Sequence, residues 1–191
     1  MKKCVLMALI LGGVLQAQSL LYSPEVLSLY LHQEDDKVAG RLLPTNAFNV
    51  LKTQGARVLL RIEGYSNPKA PFALYANDHQ RVLVAVFAKN TPLKIMHLGS
   101  SKEGKWDRVR VEMWTDKAKF SPDLQAILAR AQELFSNNCG TCHTLHKPRE
   151  FRANAWPAIF RSMQERTAIA KKDRWLVIQY LQKNAKDFKI P

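Results

Sequence analysis

Apolar and polar positions alternate in short runs from Leu20 to about Phe120, and in the last third of the chain they recur every three to four residues instead. Period two marks a half-buried strand, and a 3.6-residue recurrence marks an amphipathic helix. The chain is therefore expected to be β-rich first and helical afterwards. In the first part Val58, Leu60 and Ile62 fall on one strand face, as do Val109 and Val111. The pattern also repeats. Leu29-Tyr30 returns as Leu74-Tyr75, and Phe48-Asn49-Val50-Leu51 as Leu93-Lys94-Ile95-Met96, both at an offset of 45. Arg61-Ile62-Glu63-Gly64-Tyr65 returns as Arg110-Val111-Glu112-Met113-Trp114 at an offset of 49, so four residues are inserted, most simply in the turn Ser100 to Gly104. Units of about 45 residues with several short strands are expected to close on themselves and hide their edges. The boundaries fall at 18–66 and 67–119, with Asn67-Pro68-Lys69-Ala70-Pro71 between them.

Past Phe120, Ser121-Pro122 reads as an N-cap followed by proline at the first helical position. Leu124, Ile127, Leu128, Ala131, Leu134 and Phe135 then lie on one stripe, and Asn137-Asn138 is expected to end the helix. A second, short helix starts near Trp156-Pro157 and carries Ile159, Phe160 and Met163. A third, Lys171 to about Asn184, buries Trp175, Val177, Ile178, Tyr180 and Leu181. Residues 120–191 are expected to stand as a self-sufficient helical domain.

The start of the chain adds an address. Met1-Lys2-Lys3 and the apolar run Cys4 to Leu15 have the charged start and short hydrophobic middle of a secretory signal, and the run is too short to span a bilayer. Residues 1–17 are expected to be removed, giving a periplasmic protein with no stable membrane span; an uncleaved anchor is the alternative. Cys4 has no preceding apolar lipobox. The formal charge is +13. In a cytoplasmic protein such an excess points to nucleic acid. In an exported one it points to acidic protein surfaces or anionic lipid, or to nothing more than a solvated basic face, and no nucleic-acid partner is expected.

Removal of the leader leaves two cysteines, both in Cys139-Gly140-Thr141-Cys142-His143. This is the C-x-x-C-H signature of covalent c-type haem attachment. Two thiols three positions apart can add to the two vinyl groups of one haem, and the adjoining His143 imidazole becomes the proximal iron ligand. One covalently attached haem c is therefore expected. A zinc site would need a second ligand pair at matching spacing, and a thioredoxin-like dithiol would need a strand and helix framing it; the sequence shows neither. Completion of such attachment outside the cytoplasmic membrane agrees with the export signal. For the sixth ligand Met163 is the candidate, because of the three methionines beyond the leader, Met96, Met113 and Met163, only it lies in the helical part. His97, an empty sixth position, and a Met163 that is merely core packing are the alternatives.

Resemblances extend these readings. The stretches Val38-Ala39-Gly40-Arg41-Leu42-Leu43-Pro44 and Phe48-Asn49-Val50-Leu51, with Gly55 and the strand Val58 to Gly64, resemble bacterial SH3-like domains. Residues 124–187 resemble a class I cytochrome c domain, through Ala131-Gln132-Glu133-Leu134-Phe135 before Cys139 and Tyr180-Leu181 in the last helix. The implied fold is two small SH3-like β-barrel modules followed by an all-α cytochrome c haem domain. More narrowly, the β-rich lead, the haem motif, Trp156-Pro157, Met163, Arg166 and Tyr180-Leu181-Gln182 resemble the C-terminal region of the pentahaem cytochromes that feed trimethylamine-N-oxide and dimethyl-sulfoxide reductases. That resemblance implies a non-enzymatic electron carrier with a periplasmic molybdopterin N-oxide or S-oxide reductase as acceptor and a quinol-linked cytochrome as donor. The tetrahaem part of those proteins has no counterpart in this sequence, so direct quinol oxidation is not implied.

A haem-based sensor with an open sixth position is the alternative function, and peptide or wall binding by the β repeats is a third. The scatter of Tyr30, Tyr65, Trp106 and Trp114 favours core over a peptide groove. His146 is expected at the surface, His32 and His79 have no expected role, and Arg149, Arg152, Lys171 and Lys172 either border an exposed haem edge or form a solvated face.

Overall fold

The computed structural model describes residues 19–99, 106–141 and 143–189. The expected leader 1–17, the Ser100 to Gly104 turn and Cys142 lie outside the described residues. The strands are β1 (Leu27–Leu29), β2 (Gly40–Leu42), β3 (Phe48–Gln54), β4 (Arg57–Asn67), β5 (Ala70–Tyr75), β6 (Leu83–Phe87), β7 (Met96–Gly99) and β8 (Asp107–Asp116). Three helices follow, α1 (Leu124–Cys139), α2 (Trp156–Met163) and α3 (Arg174–Lys183). No helix among the described residues is long and apolar enough to cross a membrane.

The architecture corrects the expected one. The eight strands form a single open antiparallel sheet in the order β1-β2-β6-β5-β4-β8-β7, with β3 on β4, and not two SH3-like β-barrel modules. The C-terminal part is three short helices of 16, 8 and 10 residues beside a mostly β chain, and not an all-α cytochrome c domain.

The reason for the first difference lies in how the repeat pairs. Strand β2 meets β6 about the pair Arg41↔Val86, and β4 meets β8 about Ile62↔Val111. These pairs lie 45 and 49 residues apart, the two offsets of the sequence repeat, so β2 and β4 each pair with their own copy in the second unit. The other contacts obey the same pseudo-twofold relation: Tyr65 pairs with Tyr75, and the single bridge Tyr30↔Trp114 is its counterpart. A unit of this size alone buries too little apolar surface to be stable, and interlocking with its duplicate supplies the missing partner face. One core results, built from Leu29, Leu42, Phe48, Leu60 and Ile62 of the first half and Leu74, Val109, Val111 and Met113 of the second. On the outer face the duplicated Arg-x-Glu motifs cross-pair. Arg61 bonds Glu112 at 3.3 Å, and Arg110 bonds Glu63 at 2.7 Å.

Local chemistry fits the strands. Burial alternates along β4, with Val58, Leu60 and Ile62 inward as expected. Gly40 is required where Phe87 crosses β2, since a Cβ there would lie 2.6 Å from the Phe87 ring. Gly55 takes φ +56° in the β3–β4 turn, a left-handed conformation that glycine adopts without strain.

The helices differ in detail from expectation. Asp123, and not Ser121, caps α1, its carboxylate accepting from the Ala126 N–H at 2.9 Å. The helix runs through Asn137-Asn138 to Cys139. In α3 it is Leu176 that is fully buried, while Trp175 is half-exposed. A second core gathers Ile127, Ala131, Phe135, Trp156, Phe160, Val177 and Leu181 together with Val82, which precedes β6. A polar seam completes this contact. Gln179 donates to the Leu83 carbonyl at 2.9 Å, the Gln80 amide donates to the Asp187 carbonyl at 3.1 Å, and the Arg81 N–H donates to Asn154 at 2.8 Å. The helical part thus takes both apolar and hydrogen-bonding partners from β6 and from the loop that precedes it.

Candidate functional site

Helix α1 delivers Cys139 at its last residue, and a loop of irregular chain with one 3₁₀ turn (Pro148–Glu150) leads to α2. A narrow cleft opens between them. Phe135 and Cys139 line it from α1, His143 and His146 from the loop, Trp156, Ile159, Phe160 and Met163 from α2, and Leu181 from α3. Gln164 and Thr167, just past α2, complete it. Cys139 and His143 of the C-x-x-C-H motif therefore share one largely apolar cleft with Met163.

An aromatic wall supports the loop. The rings of His143 and His146 lie 5.4 Å apart, His146 and Phe151 5.2 Å, Phe151 and Trp156 5.1 Å, and Trp156 and Phe135 6.2 Å. The Trp156 indole N–H donates to the Pro148 carbonyl at 2.9 Å, fixing the loop to α2.

Two histidines of the loop have defined hydrogen-bond partners. His143 Nδ1 lies 2.8 Å from the Thr144 carbonyl oxygen. A carbonyl only accepts, so Nδ1 carries a proton, and in the neutral tautomer Nε2 is then the lone-pair nitrogen; a hydrogen bond of this kind orients a metal-ligating imidazole and raises its basicity. His146 Nδ1 sits 2.9 Å from a Glu150 carboxylate oxygen. Burial pushes the pKa of the half-buried Cys139 thiol up, opposite to the lowered value of a redox-active thiolate. The alternative of a reactive dithiol is correspondingly weakened.

The remaining candidates lie elsewhere. Met113 is buried in the sheet core, Met96 is 55% exposed on β7, and the His97 side chain is 67% exposed near Asp107. None of the three lines the cleft. His146, expected at the surface, is half-exposed and does line it. Arg149, Arg152, Lys171 and Lys172 are all exposed. Gln164 and Thr167 were not singled out from sequence, although Thr167 follows Met163 at the four-residue spacing of a shared helical face. A neutral thiol, an imidazole with a free Nε2, a thioether and an apolar aromatic wall in one cleft fit a covalently held haem.

Two family models match the chain. One, described as the TorC third cytochrome c domain, matches residues 15–120; the other, described as dihaem cytochrome c, matches residues 135–190. Site and matches together define a c-type cytochrome, a haem-bearing electron-transfer protein and not an enzyme. The first match covers more than half of the chain, which belongs to the family of the TorC third cytochrome c domain. The matched residues 15–120 contain no cysteine, and the one C-x-x-C-H lies in the second match.

The chain is 24% identical over 181 residues to the cytochrome c-type protein TorC of Escherichia coli O157:H7, covering 92% of this chain and 46% of that protein. It is 25% identical over 172 residues to the TorC of Escherichia coli strain K12, and 25% identical over 181 residues to the cytochrome c-type protein TorY of Haemophilus influenzae. The chain spans about half the length of these curated relatives. No solved structure matches it.

Proposed function

We propose that the chain works in the periplasm as a carrier of single electrons on one haem c, receiving them from a quinol-linked cytochrome and passing them to a molybdopterin N-oxide or S-oxide reductase. The observation that carries this reading is the convergence of Cys139, His143 and Met163 on one apolar cleft, with the His143 Nε2 lone pair left free. In this reading Cys139 and Cys142 would hold the haem through thioether bonds, and His143 and Met163 would ligate its iron. The single C-x-x-C-H supports a count of one. Bound haem supplies a one-electron ferric/ferrous couple. The Thr144 carbonyl holds the His143 ring, the Met163 thioether favours a raised potential, and Phe135, Trp156 and Phe160 exclude water. Residues 120–191 would carry the haem, while the sheet of residues 27–116 would orient the partner.

The acceptor class rests on the resemblance of the motif-bearing region and on the relatives named TorC and TorY. The exposed Arg149, Arg152, Lys171 and Lys172 would steer toward an acidic surface. The test is stopped-flow oxidation of the dithionite-reduced, haem-loaded chain by an N-oxide reductase. Oxidation that depends on added trimethylamine N-oxide and slows with rising salt is expected. Failure to reoxidise with an active reductase present would reject this acceptor.

A further inference from the structure

Away from the haem cleft, at the last residue of α3, a lysine ammonium is driven into the seam between helices and sheet. Lys183 Nζ donates to the Thr45 carbonyl at 2.8 Å, to Thr45 Oγ1 at 3.0 Å and to Asn46 Oδ1 at 3.0 Å. All three acceptors are neutral. The Asn46 amide in turn donates to the Leu43 and Pro44 carbonyls at 3.1 Å, so the loop between β2 and β3 is organised around this contact. Thr45 itself, 1% exposed, adopts φ +63°. A β-branched residue is strained there and stays only where its surroundings hold it.

The charges around the ammonium do not compensate it. The wide cleft beside Lys183 also meets Arg61 and Glu63 on β4, Arg108 on β8, and the phenols Tyr22 and Tyr65. Glu63, the one acid among these lining residues, is bonded to Arg108 and Arg110. From the chain after α3, Lys186 donates to the Glu150 carbonyl, and Asp187 accepts from the Ala153 N–H.

We propose that Lys183 is a positioning residue that seats the haem-cleft helices on the sheet, and that gain or loss of its proton sets how firmly they sit. The partners suit both states. As an ammonium, Lys183 donates three hydrogen bonds. As an amine, it donates to the Thr45 carbonyl and Asn46 and accepts from the Thr45 hydroxyl, which can reverse its role. Lys183 as a whole is partly exposed and only its ammonium end is desolvated, so the seat survives proton loss while the cost of desolvating that charge disappears. Desolvation lowers the Lys183 pKa to about 7 from 10.5. A lysine whose pKa is depressed on folding leaves the unfolded chain holding more protons between those values, so stability rises from about pH 7 toward 10.5 and is lost as pH falls through 7. The helix affected carries Leu181 into the haem cleft.

Thermal melts of the haem-loaded full chain from pH 6.5 to 9.5 test this, with Lys183→Met and Lys183→Arg beside the wild type. The wild-type midpoint should rise by about 5 °C relative to Lys183→Met across that range. Lys183→Arg, charged throughout, should run parallel to Lys183→Met. Thr45→Val, which removes the hydroxyl that partners the amine, should flatten the rise, and Thr45→Ser should restore it. Parallel wild-type and Lys183→Met profiles would overturn the proposal. Should the lysine variants fail to fold, amide exchange of α3 in the wild type, corrected for intrinsic rates, decides: protection should increase about tenfold or more over the same range, and unchanged protection would overturn it.

Discussion

Replacing Trp156 with alanine should be the most damaging single change at the cleft between α1 and α2. Trp156 is 1% exposed, sits between Phe135 and Phe151, and holds the Pro148 carbonyl through its indole N–H. Truncating a buried tryptophan costs about 3–5 kcal/mol. The lost hydrogen bond is included, but the Pro148 carbonyl left behind places the expected loss near the upper end, about 4–5 kcal/mol. At about 2–4 °C per kcal/mol for a chain of this size, the midpoint should fall by roughly 10–15 °C. Trp156→Phe keeps the aromatic wall and loses the N–H, so it should cost only about 1–2 kcal/mol. Melts of the haem-loaded chain followed in the Soret band and by far-ultraviolet circular dichroism separate cleft from fold. A loss under about 1 kcal/mol in Trp156→Ala would refute the role of this wall. Equal losses in the two variants would show that the hydrogen bond, and not the packing, holds the loop.

Met163→Ala should abolish the near-red band of ferric haem bound to methionine sulfur and lower the reduction potential; an unchanged band would remove Met163 from the ligand set. Burial works to raise the Glu63 pKa, but Arg110 and Arg108 outweigh it and hold the carboxyl below its ordinary 4.5. Its stabilisation is therefore present above that value and lost as pH falls through the lowered one. Glu63→Gln should accordingly show a smaller loss of stability than wild type between about pH 5 and pH 3, checked by urea titration at each pH. Residues 120–191 expressed alone should lack cooperative unfolding, because Gln179 and Lys183 lose their acceptors at Leu83, Thr45 and Asn46. A sharp transition in that fragment would show that the helices need no sheet.

The C-x-x-C-H motif and the repeat were legible in the sequence because each is a local pattern: a fixed spacing of cysteines and histidine, and the same short strands at offsets of 45 and 49. What the repeat could not disclose was its mode of closure. A strand such as Arg61 to Tyr65 presents the same alternation whether it pairs within its own unit or with its copy. Only long-range pairings such as Ile62↔Val111 and Arg41↔Val86 distinguish the interlocked sheet from two barrels. The helical stripes were equally readable, but Gln179, Gln182 and Lys183 look like the exposed side of a surface helix. Their carbonyl partners lie about 100 or more residues back in the chain, except for the Ala153 carbonyl that also receives Gln182. The cap moved from Ser121 to Asp123 because both can cap a helix; Ser121 Oγ instead accepts from the Asp123 N–H, and Asp123 caps the helix.

The central claim, that this chain holds its haem covalently through Cys139 and Cys142, is tested most directly on a denaturing gel stained for haem peroxidase activity. The full chain is expressed with a haem-ligation system and compared with its Cys139→Ala/Cys142→Ala variant. The account predicts a stained band at the mass of the wild-type chain and none for the variant, with one haem per chain by pyridine haemochrome. A matured wild-type chain without a stained band would contradict it.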